Sequence, residues 1–168
     1  MITYTVFNAK QVGNMMIGTE LAGHCFYLPN PPVLPTNWGY RDIDATQSLI
    51  ELNGNHWRKI LTIMAKIMVN GQDWRQYRDI QLLKHKESIG FAASSLQPNS
   101  KVHIICGQES AQGLQLNINE FISINSQCNK LLKHPQQAIY LCPYLDYRQF
   151  PNQQINQLRE ELGLQLLN

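Results

Sequence analysis

The chain has 168 residues, 43% of them apolar and 15% charged, with a formal net charge of +2. That length predicts one domain, 1–168, with enough apolar material for a core, and the shortfall from the roughly 25% charge of ordinary globular domains is filled by 17 Gln and 15 Asn. The amides are dispersed, which excludes a prion-like tract. No apolar run approaches the roughly 20 residues that span a bilayer, and the start Met1-Ile-Thr-Tyr-Thr has no basic leader, so a cytoplasmic protein without membrane partners is expected.

In chain order, residues 2–8 are rich in β-formers and predict a first strand. Residues 18–23 are a glycine-bounded connection, and 24–28 predict a second, short strand. Pro29, Pro31, Pro32 and Pro35 then stiffen a segment that ends at Trp38 and suits either a packed connector or one wall of a cleft. Asn55 reads as a helix cap. Trp57, Ile60, Leu61, Met64, Ile67 and Met68 fall at helical spacing, with Arg58, Lys59, Thr62 and Lys66 on the other side and a stop at Asn70-Gly71. Asp73 predicts the cap of a further helix carrying Trp74 and Tyr77, ending before Ser88. A shorter helix is expected over 89–96, closed by the turn 97–100.

The run Val102-His-Ile-Ile-Cys106 predicts a buried strand, with a helix starting near Glu109. Leu114, Leu116 and Ile118 alternate as in an edge strand, while 117–132 reads equally well as helix. Residues 138–143 predict another buried strand. Pro151 suits a helical first turn, followed by the stripe Ile155, Leu158 and Leu162 and a stop at Gly163. Strands separated by helices predict an α/β domain of three layers: a central parallel or mixed sheet of about four strands with helices on both faces.

Two clusters carry chemistry. Gly107, Gln108, Glu109 and Ser110 follow a strand, where ligands gather in open α/β sheets, and could present backbone N–H groups to an anion; the structural alternative is a tight turn at Gly107. The stretch is neither a Walker loop nor a G-x-S-x-G elbow. Tyr144, Asp146, Tyr147, Arg148 and Asn152 fill the connector before the last helix, with rings that could stack on a base and an Arg that could hold a phosphate. The alternative is a rigid corner in which Asp146 and Arg148 pair or cap.

Between 56 and 86, seven cations (Arg58, Lys59, Lys66, Arg75, Arg78, Lys84, Lys86) face two carboxylates (Asp73, Asp79), a local balance of +5. Such a patch suits phosphates, or it is the solvated side of two helices. The five histidines, His24, His56, His85, His103 and His134, lack the spacing of a zinc site, and no metal or cofactor is expected. Cys25, Cys106, Cys128 and Cys142 have no C-x-x-C spacing; Cys106 and Cys142 read as buried small hydrophobes.

The strand at 102–106 followed by Gly107-x-x-x-Ala111-Gln112, a strand ending in Cys142-Pro143, then Arg148, Phe150, Asn152 and a closing amphipathic helix resemble the scaffold of the uracil-DNA glycosylase superfamily. The helix at Trp57 is similar to the one that precedes this region in those enzymes. The family's water-activating Gly-Gln-Asp-Pro-Tyr-His loop is missing, because Gly23-His24-Cys25-Phe26-Tyr27 offers no carboxylate. Its His-Pro-Ser loop falls at Cys142-Pro143-Tyr144, with Cys in place of His. The resemblance implies a degenerate relative without glycosylase activity, since neither leaving-base stabilisation nor water orientation is provided. The expectation is a module binding nucleic acid or nucleotide. Two alternatives are an enzyme acting on a small metabolite through Glu109, Ser110 and Asp146, and a protein-interaction or homo-oligomeric module with an apolar patch near Trp38 and Phe26.

Overall fold

The computed structural model describes residues 15–125 and 128–168; the strand expected at 2–8 lies outside them. Strands β1 (Met16–Gly18) and β2 (His24–Leu28) lead to helices α1 (Ala45–Asn53), α2 (Asn55–Met68) and the single turn α3 (Trp74–Gln76). A π-helical turn at Tyr77–Gln81 continues α3. Then come β3 (Glu87–Phe91), β4 (Val102–Cys106), α4 (Gln108–Gly113), a 3-10 turn at Ile118–Glu120, β5 (Ile122–Asn125), β6 (Cys128–Lys133), β7 (Ile139–Cys142) and α5 (Asn152–Glu161).

The strands form one mixed sheet of seven in the order β1-β3-β2-β4-β7-β6-β5. β3, β2, β4 and β7 run parallel in the middle, with β1 antiparallel at one edge and β6 and β5 antiparallel at the other. The sheet is therefore larger than the about four strands expected. The helix expected over 89–96 is instead the strand β3, every residue of which is buried. The open stretch 114–132 resolves into the 3-10 turn and β5, with β6 beginning at Cys128; Leu114 lies in a turn, Leu116 outside any regular element and Ile118 in the 3-10 turn, rather than in an edge strand.

Alternation along the parallel strands sorts the core. Phe26, Leu28, Ile89, Phe91, Ile104, Cys106, Tyr140 and Cys142 pack with Leu49 of α1, Trp57, Ile60 and Met64 of α2, and Ile155 and Leu158 of α5. Cys25, Tyr27, Ile105, Ile139 and Leu141 point the opposite way and pack with Leu114, Ala93, Leu96, Ala111 and Phe121. α2 is more enclosed than a one-sided stripe implies: Thr62, read as outward, is buried, and its hydroxyl accepts a hydrogen bond from Arg78 Nη1 at 3.0 Å. Its cap position is Gly54 rather than Asn55, and no side chain closes that end. Trp57 is buried and tilts against Phe91, centroids 6.1 Å apart. Trp57→Ala is expected to cost roughly 3–5 kcal/mol in a urea melt; a near-neutral shift would mean that this helix face carries little of the core.

Phe26 is wholly buried, and Trp38 is partly buried against the core, donating from Nε1 to the Ala45 carbonyl at 2.8 Å. Among the described residues no helix is long and apolar enough to cross a membrane.

A candidate binding cavity at the strand ends

Because β2, β4 and β7 are parallel neighbours, their carboxyl ends open on the same edge of the sheet. A cavity of about 650 Å³ lies there, bordered by Pro29 and Asn30 after β2, by Gly107, Gln108 and Glu109 after β4, and by Pro143 and Tyr144 after β7. The two expected clusters thus meet at their first residues. Gly107 N–H donates to the Cys142 carbonyl at 2.9 Å. Gly107 has φ of 96°, a left-handed conformation that a side chain would strain, and a Cβ there would already stand 3.6 Å from Tyr144. The tight exit of β4 is what lets the tyrosine lie against it.

His56, at the start of α2, reaches the same cavity. Its Nε2 shares a 2.8 Å hydrogen bond with Tyr144 Oη, and the rings lie nearly parallel with centroids 5.8 Å apart. Burial, with the Cys106 thiol, Asp146 and Glu109 nearby, pushes the Tyr144 hydroxyl above its ordinary range, so it stays protonated. Cys106 and Cys142 line the cavity as strand neighbours. Burial pushes both thiols up, Cys106 further opposed by Cys25 and Cys142 by Cys106, so neither is a thiolate nucleophile. The remaining polar lining is Lys130, Gln149 and the carboxamides of Asn30 and Gln108 beside the Glu109 carboxylate. This is a mostly neutral set of donors and acceptors beside two rings, suited to a planar polar ligand rather than to a metal. Among the described residues no three His, Cys, Asp or Glu side chains form a metal-holding group.

Asp146, Tyr147 and Asn152 turn away from the cavity onto α2, while the Arg148 side chain is exposed. Asp146 pairs with Lys59 at 3.1 Å and accepts the Arg148 N–H at 3.0 Å. Those two bonds hold its carboxyl below the usual range. Lys66 donates to Asn152 Oδ1 at 3.0 Å and stands 5.1 Å from the Tyr147 ring centroid. His56, Lys59 and Lys66 therefore fasten one face of α2 to the connector at Tyr144, Asp146 and Tyr147 with Asn152. Ser110 is buried with an unpartnered hydroxyl and does not border the cavity. Of Glu109, Ser110 and Asp146, only Glu109 does.

The basic residues do not form one patch. Lys66, Arg75 and Arg78 gather around Trp74, at 4.9, 4.2 and 5.7 Å from its ring centroid. Arg58 is exposed on α2. Lys84 bonds the carbonyls of Tyr40 and Asp42. Lys86 precedes β3, at the opposite ends of the parallel strands from the cavity. Sequence reasoning missed His56, Asn30, Gln149 and Lys130; the two carboxamides belong to an amide-rich chain and carried no motif.

Residues 15–163 match the model of a family of unknown function, DUF6942. The chain belongs to the DUF6942 family. No curated protein and no solved structure shows significant similarity to this DUF6942 member.

Proposed function

We propose that this DUF6942 protein binds a nucleotide or a nucleic-acid segment in the strand-end cavity, without glycosylase activity. The observation that carries the reading is the meeting of Gly107, Gln108 and Glu109 with Tyr144 and His56 around a space of about 650 Å³. That volume takes a base and its sugar, the rings offer a stacking surface, and the carboxamides of Asn30, Gln108 and Gln149 match the mixed donors and acceptors of a base edge. The same arrangement supports reading the chain as a degenerate relative of the uracil-DNA glycosylase scaffold. In that reading α1, α2 and α5 form one layer, the sheet the second and α4 the third. The free thiols of Cys25, Cys106 and Cys142 fit a reducing, cytoplasmic setting.

The test is fluorescence anisotropy of labelled thymidine monophosphate and short oligothymidylates at low salt. Saturable binding that Tyr144→Ala or His56→Ala weakens supports the reading. Flat titrations at low salt contradict it, because phosphate-driven binding is strongest there.

A further inference from the structure

Two of the three cations around Trp74 lack anionic partners. Among the described residues neither Lys66 nor Arg75 forms an ion pair, whereas Lys59 is taken by Asp146 and Arg78 by Asp79. The Lys66 ammonium lies between two rings, 4.9 Å from the centroid of Trp74 and 5.1 Å from that of Tyr147. Burial and the nearby Arg75 guanidinium both push it below its ordinary range. Three cations held near one indole, with Asp79 pairing only Arg78, raise the energy of the free protein, and a bound oxyanion relieves it. Arg75 and Asn152 are exposed, and Tyr147 is 40% exposed, so the spot is open to solvent.

Its position relative to the cavity is set by α2. His56, Lys59 and Lys66 are spaced three and seven residues apart, which puts them on one side of the helix, as their contacts with the connector agree. Ten residues at about 1.5 Å each separate the cavity end from Lys66 by about 15 Å. A stacked strand rising about 3.4 Å per nucleotide covers that distance in about four phosphates.

We propose that Lys66 and Arg75 hold the phosphate of a single-stranded nucleic acid about four nucleotides from the one seated in the cavity, the intervening backbone crossing the exposed connector residues Tyr147 and Arg148 that cover this face of α2. This rests on the proposed function for its cavity end and names the ligand as an oligonucleotide rather than a free nucleotide. A backbone sugar-phosphate fits better than a lipid surface, because the two unpaired cations form one small site about 15 Å from the cavity rather than a broad field.

The experiment is a length series, thymidine monophosphate and oligothymidylates of two to eight nucleotides, titrated into the full chain at several salt concentrations. Affinity is expected to rise with length and level off near five nucleotides. Arg75→Gln, at an exposed site, is expected to keep the melting temperature and monophosphate binding while lowering the slope of log K against log salt for the longer strands by about 0.7; Lys66→Gln with Arg75→Gln lowers it by about 1.4. Affinity that does not grow beyond the monophosphate, or a slope unchanged by Arg75→Gln, overturns the track while leaving the cavity reading intact. Length-dependent, Arg75-sensitive binding with no detectable monophosphate binding overturns the cavity reading on which the proposal rests. Binding to anionic phospholipid vesicles but not to oligonucleotides overturns the proposal.

Discussion

Arg159→Ala is expected to destabilise the protein by roughly 3–5 kcal/mol, an effect as large as that of Trp57→Ala. The side chain is fully buried. Its Nη1 donates to the carbonyls of Lys66, Ile67 and Val69 at 2.9, 3.2 and 2.8 Å, and its Nε to that of Gln165 at 2.8 Å. Those of Lys66 and Ile67 are among the carbonyls that α2 leaves without helical partners at its C-terminal end, and Val69 is its extended C-cap. A cation there also opposes the negative end of the helix dipole. Among the described residues no carboxylate pairs with it, so backbone carbonyl dipoles balance the guanidinium, and its removal orphans several buried acceptors at once. Arg159→Lys keeps the charge but not the planar fork, and is expected to recover only part of the loss. A urea melt measures both. An Arg159→Ala protein within about 1 kcal/mol of the wild type would mean that water replaces these bonds and that α5 is not the anchor of α2.

The second large effect depends on pH and belongs to Glu87. This wholly buried residue opens β3, accepting from Tyr77 Oη at 2.8 Å and from Leu83 N–H at 2.7 Å. Burial pushes its carboxyl up to about 7, against the bonds from Leu83 and Tyr77 and the charge of Lys86, which favour ionisation. Its unfolded value is 4.5. Between those two values the unfolded chain has released the proton and the folded chain keeps it. Stability therefore falls as pH rises through this window, by roughly 3 kcal/mol in total, and levels off above it. Glu87→Gln cannot ionise; its Oε1 can still accept from Leu83 while its Nε2 donates to the Tyr77 oxygen. The wild type is expected to lose stability relative to Glu87→Gln between pH 4.5 and 7, and Glu87→Gln to be the more stable protein at pH 8. Taking the difference between the two cancels every other titrating group. Parallel curves would mean that the carboxyl is ionised throughout the window and adequately solvated.

The parts of the fold that could be read from sequence are those in which one residue pattern decides the outcome. α2 follows its apolar spacing, and β2, β4 and β7 follow short apolar runs ending in Pro, Gly or Cys-Pro. β3 was hidden because it begins with Glu87 and Ser88, polar residues that only tertiary partners make tolerable, and is followed by alanines that suit a helix. β1 is three residues long, and β5 is largely exposed, so neither needs a strong alternating pattern to pair at a sheet edge. At the site, the glycine exit of β4 and the aromatic exit of β7 were legible as separate clusters. Their meeting depends on strand order. His56 could not be found the same way: it is 88 residues from Tyr144 in the chain, and only the packing of α2 on the connector brings the rings together. The same packing explains why Asp146, Tyr147 and Asn152, chemically rich as a string of letters, serve to fasten α2 rather than to line the cavity.

The account stands most directly on amide mapping by NMR, with the free protein titrated at low salt against an oligothymidylate of five nucleotides. It predicts saturable shifts at Gly107, Gln108, Glu109 and Tyr144 and at the indole N–H of Trp74, with little change at Lys84 and Lys86 on the far side of the sheet. Shifts confined to the Lys84 and Lys86 end, or none at millimolar ligand, would contradict it.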